Sequence, residues 1–264
     1  MPDSLSALVI TYNEATNIAR CLERLDWVQR VVVLDSGSTD GTQEIARNFP
    51  NVEVIERAFD TFAGQCNFGL NQIHTDWVLS LDADYILGKG FEEAARAAIQ
   101  SNCAPAFRVP FQYCIHGQGL SATVYPPRIA LYRRDTARYE DEGHGHRVCI
   151  KGTPGLLGAM IDHDDRKPLS RWFASQIKYS EQEAEFLATS AASQLSRMDK
   201  LRAKAWIVPV LTPFYCLIVK GLWRDGRAGW HYTLQRWVAE CMIALALVDR
   251  RFAKASKPGQ PDSP

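Results

Sequence analysis

The sequence predicts an α/β protein: a mostly parallel sheet flanked by helices, followed by a helical C-terminal region. Three observations carry that expectation. Short apolar runs alternate with helical spacing through the first 82 residues. The last of these runs, Trp77-Val78-Leu79-Ser80-Leu81, ends in Asp82-Ala83-Asp84. From Leu169 onward apolar residues recur at helical rather than alternating spacing.

Taken in order, Ser6-Ala7-Leu8-Val9-Ile10-Thr11 is a first strand, interrupted by the polar run Tyr12 to Asn17. Ile18, Cys21, Leu22 and Leu25 then mark one face of a helix. Val31 to Leu34 is a second strand, ending at Asp35. The turn Ser36-Gly37-Ser38-Thr39-Asp40-Gly41-Thr42 leads into a helix with Ser38, Thr39 or Asp40 as its N-cap. Val52 to Ile55 is a third strand, Gln65 to Gln72 lies in a third helix, and the fourth strand closes at Asp82. Strands and helices alternating through short loops build a parallel sheet with helices on both faces.

Ligands bind such sheets beyond the carboxyl ends of the strands. Thr11-Tyr12-Asn13-Glu14, Asp35, and Asp82 with Asp84 all stand there. Side chains two apart in a strand share a face, so Asp82 and Asp84 leave the strand end together. Two hard carboxylates suit Mg²⁺ or Mn²⁺, which complete their shells with substrate phosphates. Taken singly, Asp35 and Asp40 read as turn or cap residues and Glu14 as a solvated loop residue. Three acidic strand ends at one edge ask for a cation and a donor-rich ligand.

These motifs, in this order and spacing, resemble the successive signatures of family 2 glycosyltransferases. That resemblance implies a GT-A fold and an inverting, metal-dependent transferase using a nucleotide-sugar donor. It implies that Thr11, Tyr12, Asn13, Glu14 and Asp35 hold the base and ribose, with Asp35 accepting a hydrogen bond from the uracil N3–H. Asp82 would face ribose or metal, Asp84 would be the principal metal ligand, and Arg57, Gln65 and Asn67 would contact the donor. A nicotinamide enzyme is disfavoured, because no Gly-x-Gly-x-x-Gly follows the first strand.

Displacement at a sugar C1 needs a group to take the acceptor's proton. Tyr139-Glu140-Asp141-Glu142-Gly143-His144-Gly145-His146 reads as an acidic loop ahead of a strand at Val148 to Lys151. By resemblance, Glu142 is the first candidate base and Asp141 the second. Many relatives carry a His-Glu pair here, where this chain has His144-Gly145-His146. The two histidines lack a second pair to complete a zinc site. Asp162-His163-Asp164-Asp165 forms another polar cluster. His163 is placed either to close over metal or diphosphate, or simply in a capping loop before Pro168.

A chain of 264 residues can bury a full core. Its zero net charge gives no support for nucleic-acid binding. Seven cysteines without a Cys-x-x-Cys pair, and no basic apolar leader, lead us to expect a reduced, cytoplasmic protein. Charge is uneven: residues 196–254 carry eleven Lys and Arg against four Asp and Glu. The same region is the most apolar. Leu169 to Leu187 and Trp230 to Val248 read as amphipathic helices. Between them, Ala205 to Val219 is fifteen uncharged residues with two prolines, too short for a confident span and suited to an interfacial helix. Packing on the catalytic domain or a dimer interface would account for the same helices. Lys220 to Trp230 also looks like the C-terminal part of bacterial lipopolysaccharide-core enzymes of this family.

The expected organisation is therefore a catalytic domain over 1–165, a helical region over 166–254 and a disordered tail over 255–264. The expected function is transfer of a sugar, UDP-linked by preference, to a hydroxyl of a lipopolysaccharide-core or related lipid-linked glycan. The protein would act on the inner face of the cytoplasmic membrane. Two rivals are a nucleotidyltransferase with a paired-aspartate metal site and a non-catalytic membrane adaptor of the same fold. The first lacks a glycine- and lysine-rich phosphate loop, and the second would not need both acidic sets intact.

Overall fold

A computed structural model describes residues 4–142, 145–191, 193 and 195–255, with backbone alone at Glu142, Gly145, His146 and Ala255. The chain forms two compact units that divide between Lys167 and Pro168. Of the disordered tail expected over 255–264, Ala255 instead ends a helix, and 256–264 lie outside the described residues, as do Gly143 and His144.

The first unit opens as the sequence predicts: β1 (Leu5–Thr11), α1 (Ile18–Leu22), β2 (Arg30–Asp35), α2 (Thr42–Ala46), β3 (Val52–Glu56), α3 (Phe62–Asn71) and β4 (Trp77–Asp82). The sequence reading assigns no element between Asp84 and Tyr139. There the chain forms β5 (Tyr85–Leu87), α4 (Phe91–Ser101), β6 (Ala106–Val109), β7 (Phe111–Ile115), β8 (Gln118–Gly119) and β9 (Arg128–Arg133). It continues with β10 (Ala137–Glu142), β11 (Gly145–Ile150), β12 (Gly155–Leu156) and β13 (Ile161–His163).

Seven strands make the main sheet in the order β12-β6-β9-β4-β1-β2-β3. β1 to β4 run parallel, and β9 is antiparallel to both β4 and β6. Alternate residues of each central strand enter opposite cores, which is why these strands read as continuous apolar runs. Ala7, Val9, Val31, Val33, Leu79 and Leu81 pack with α1, α2 and α4 on one face. Leu8, Val32, Leu34 and Val78 pack with Ala63, Cys66 and Leu70 of α3 and with Tyr139 on the other.

A smaller sheet, β5-β13-β7-β8, holds His163 beside Tyr85 on one neighbour and Tyr113 on the other. β10 and β11 pair as a hairpin with Asp141 opposite His146 and Glu142 opposite Gly145. The expectation of a loop over Tyr139 to Val148 is therefore corrected: most of that stretch is strand. Three successive acids masked an alternation in which Tyr139 points into the core beneath α3 and Glu140 into solvent.

The second unit contains α5 (Leu169–Thr189), α6 (Arg197–Arg202), α7 (Ile207–Phe214) and α8 (Gly226–Ala255). A π-helical turn, Tyr215–Val219, continues α7, and a 3-10 turn, Leu222–Asp225, leads into α8. Ala184 and Leu187 of α5 pack with Ala205 and Leu247, and Arg202 forms a forked ion pair with Glu240.

At Gly229 the backbone of α8 touches the preceding turn: a Cβ would lie 1.8 Å from the Leu222 carbonyl oxygen. Neither partner is a side chain that could swing aside. Gly229→Ala is expected to destabilise the fold by roughly 1–3 kcal/mol through overpacking, read as a lower denaturant midpoint at unchanged slope.

Candidate active site

The loops after β1 and β2 are zipped together by side chains that each motif supplies. Asn13 adopts the left-handed region (φ 55°), and its backbone N–H donates to Ser38 Oγ at 2.7 Å. Its Oδ1 accepts from the Thr39 N–H at 2.8 Å. The Glu14 N–H donates to Thr42 Oγ1 at 2.8 Å, and the Ala15 N–H to Asp40 Oδ2 at 3.1 Å. Gly37 and Gly41, at φ 87° and 91°, supply the left-handed backbone that the second loop needs.

Asp35 is fully buried at the end of β2. Its Oδ2 accepts from the Gly37 and Ser38 N–H groups and from Gln43 Nε2, while its Oδ1 accepts only from the Ser38 hydroxyl. It builds the turn, and a base contact would fall to Oδ1. Arg57 and Gln65 join at 2.8 Å, and Gln65 reaches Ser36 Oγ at 3.0 Å, so both stand beside this turn. Thr11 Oγ1 is buried without a hydrogen-bond partner among the described residues, whereas Tyr12 is exposed.

Asn67 lies apart from these groups. Its amide clamps the Tyr139 backbone at both ends, 2.9 Å each way, and fixes β10 against α3. Asp141 Oδ1 accepts from the Ala63 N–H at 3.0 Å in the first turn of α3, where the helix dipole favours a carboxylate. The Glu142 side chain lies outside the described atoms.

At the end of β4 the structure joins two residues that are 79 apart in sequence. His163 Nε2 faces Asp84 Oδ2 at 3.0 Å, and the rings of Tyr113 and Tyr85 stand edge-on to the imidazole at 4.5 and 5.3 Å. Burial opposes ionisation of Asp84, but the facing imidazolium and its hydrogen bond hold the carboxyl below the usual carboxylate range. Burial likewise opposes the His163 cation, and the Asp84 charge outweighs it, raising the imidazole above its usual range. Asp84 Oδ1 and His163 Nδ1 are both buried with no hydrogen-bond partner among the described residues.

An unsatisfied carboxylate oxygen beside an imidazole fits a divalent cation. Asp84 could ligate it, with His163 beside it and Asp82 two residues back. Among the described residues no three Asp, Glu, His or Cys side chains are gathered closely enough to hold an ion unaided. Donor phosphates would have to complete the shell, which is how Mg²⁺ is commonly held.

Sequence reasoning missed the residues that strap β13 to the first loop. Asn17 Nδ2 donates to Glu14 Oε2 at 2.7 Å and to Asp165 Oδ1 at 3.0 Å. Its Oδ1 accepts from Arg20 Nη2 at 2.5 Å and the Arg166 N–H at 3.1 Å. Arg20 and Arg166 both bind Asp164, and the Lys167 ammonium pairs with Glu14. Burial raises the Glu14 carboxyl, and Lys167 opposes that rise. The signal was the passage from acids to bases over Asp162-His163-Asp164-Asp165-Arg166-Lys167.

Residues 6–107 match the family model described as "Glycosyl transferase family 2". That stretch is similar to a family 2 glycosyltransferase domain. Over 264 residues the chain is 26% identical to "Lipopolysaccharide core biosynthesis glycosyltransferase LpsC" of Rhizobium meliloti (strain 1021), covering 95% of this chain and 94% of the relative. An uncharacterized glycosyltransferase of Rickettsia felis is 37% identical over 92 residues, 34% of this chain and 32% of its own. Among solved structures, the mannosyltransferase PcManGT from Pyrobaculum calidifontis, in complex with GDP-Man and Mn²⁺, superposes with TM-score 0.50 at 16% identity, covering 97% of this chain and 88% of that one. The fold is GT-A, and the chain resembles family 2 glycosyltransferases and lipopolysaccharide-core enzymes.

Asn17 is 1% exposed and serves four hydrogen bonds, so Asn17→Ala leaves buried partners unsatisfied. The expected loss is about 2–3 kcal/mol by denaturant unfolding. Burial opposes the Asp164 charge, but Arg166, the Gly117 N–H and Arg20 hold its carboxyl below the usual carboxylate range. Its stabilising effect is then present above the unfolded carboxylate value and is lost as pH falls through the folded one. The stability gap between wild type and Asp164→Asn should narrow over that acid interval, followed by thermal melts from neutral pH downward.

Proposed function

We propose that this chain is an inverting glycosyltransferase that moves a sugar from a nucleotide-diphosphate donor, UDP-linked by preference, to a hydroxyl of a lipopolysaccharide-core or related glycan. The observation that carries the reading is the buried Asp84–His163 pair at the carboxyl end of β4, with Asp84 Oδ1 still lacking a partner. The family 2 match and the likeness to LpsC along nearly the whole chain support the reaction class and acceptor class.

The donor would lie beyond β1 and β2, over the zipped loops. Tyr12 offers an exposed ring to the base, and Asp35 Oδ1 and Thr11 Oγ1 offer acceptors to base or ribose N–H and O–H groups. Asp84, Asp82 and His163 would hold Mg²⁺ or Mn²⁺ against the diphosphate. The bound cation would supply charge neutralisation to the departing nucleoside diphosphate. The acceptor oxygen attacks C1 from the face opposite the phosphate, the C1–O(phosphate) bond breaks, and a carboxylate takes the hydroxyl proton. Glu142 is the preferred base. Asp141 comes second, because one of its oxygens is already committed to α3.

The test is nucleoside-diphosphate release from a panel of UDP-, GDP- and CMP-sugars with Mn²⁺ or Mg²⁺. We expect one UDP-sugar to be turned over, chelation to abolish turnover, and Asp84→Ala to lower it by about 10³-fold or more. An Asp84→Ala variant that stays active in metal-depleted buffer would sink the mechanism. Glu142→Gln should reduce kcat by about 10²–10⁴-fold with donor affinity unchanged, and Asp141→Asn by less. The reverse order would move the base to Asp141. Release of pyrophosphate from a nucleoside triphosphate would favour the nucleotidyltransferase instead.

A further inference from the structure

The second unit presents an apolar stripe to solvent along α7 and the π-helical turn. Trp206, Val210, Phe214 and Ile218 follow at four-residue steps and are 69, 67, 60 and 58% exposed. Leu211, Val219 and Trp223 widen the stripe and are also exposed. On an α-helix four residues overshoot a full turn by about 40°, so such a stripe would wind away. The wider turn at Tyr215–Val219 opposes that drift. Val208 and Cys216 are buried, and α7 packs on α8.

The charges around the stripe have one sign. From Lys200 to Arg224 the sequence holds five basic residues and no acidic one. Arg202 is committed to Glu240 and Glu183, while Lys204 and Arg224 are exposed at either end of the stripe. Lys220 Nζ lies 5.7 Å from the Tyr215 ring centre, and the Arg224 guanidinium lies 5.3 Å from that of Trp223. Aromatic rings coupled to cations at the edge of an apolar strip match the headgroup level of a bilayer. No single helix among the described residues is long and apolar enough to cross a membrane, and the pair Ile207–Val219 and Leu222–Lys254 is bent by 74°.

We infer that residues 206–223 form a docking surface for an anionic lipid bilayer, lying in the interfacial plane with the stripe inserted among the acyl chains and the basic flanks on lipid phosphates. A second copy of the chain fits less well. Pairing two stripes would bring only positive flanks together, with no carboxylate between Lys200 and Arg224 to meet them. The inference is independent of the transfer reaction.

It is tested with the full chain, without donor, by flotation on vesicles of phosphatidylcholine alone and with added phosphatidylglycerol. The expected result is salt-sensitive binding to the anionic vesicles. Trp206→Ser/Phe214→Ser/Trp223→Ser, and separately Lys204→Glu/Arg224→Glu, should each weaken it by at least about tenfold. The charge-reversed variant keeps the apolar stripe intact and guards against a folding defect in the first. Donor turnover in vesicle-free buffer should be retained by both, which separates failure of this inference from failure of the catalytic reading. Absence of binding to anionic vesicles, or binding by both variants equal to that of wild type, would overturn it. So would a concentration-dependent dimer that the triple substitution dissolves.

Discussion

Negative charge gathered at the carboxyl edge of the parallel sheet is the constraint on which the rest of the first unit depends. Glu14, Asp82 and Asp84 reach that edge from two neighbouring strands; Asp84 acts on Glu14, and the buried Cys21 feels all three. Burying them without partners would cost several kcal/mol per charge. The protein answers with the segment from β13 to Lys167. It carries His163 to Asp84, Lys167 to Glu14, and Asp164 to Arg20. Asn17 locks the segment by serving both sides at once. The small sheet exists, in this view, to bring one strand of compensating side chains back across the edge.

Compensation is incomplete at Asp84 Oδ1, the atom on which the proposed function rests. Asp84 Oδ1 remains buried and unpartnered, although polar groups in native interiors are rarely left so. The surrounding groups are fixed before any ligand arrives. The zipped loops hold each other through backbone donors, and the clamp of Asn67 on Tyr139 fixes the hairpin that carries Asp141 and Glu142. Preorganisation of this kind reduces the ordering cost that binding would otherwise incur.

Much of this was legible in the sequence for a physical reason. Strands buried on both faces must be apolar throughout, so β1, β2 and β4 announce themselves, and polar residues at their ends mark the functional edge. The resemblance to family 2 transferases followed from those same strand ends. What was not legible depended on long-range pairing. The β10 strand was hidden because charged residues filled its outward and end positions, leaving only Tyr139 as a core signal. A role for His163 over metal or diphosphate could be proposed, but its contact with Asp84 was not foreseen, since it requires β13 to pair between β5 and β7. Asn17 and Arg20 carried no motif at all. Asn67, taken from the sequence as a donor contact, instead spends its amide on the backbone of β10.

The central claim is that the Asp84–His163 pair and the donor diphosphate complete one cation site together. Manganese binding, followed by electron paramagnetic resonance with and without UDP, tests it most directly. Reciprocal coupling predicts that UDP tightens Mn²⁺ binding, that Mn²⁺ tightens UDP binding by the same factor, and that Asp84→Asn removes both effects. Mn²⁺ affinity indifferent to UDP, or coupling unchanged in Asp84→Asn, would contradict it.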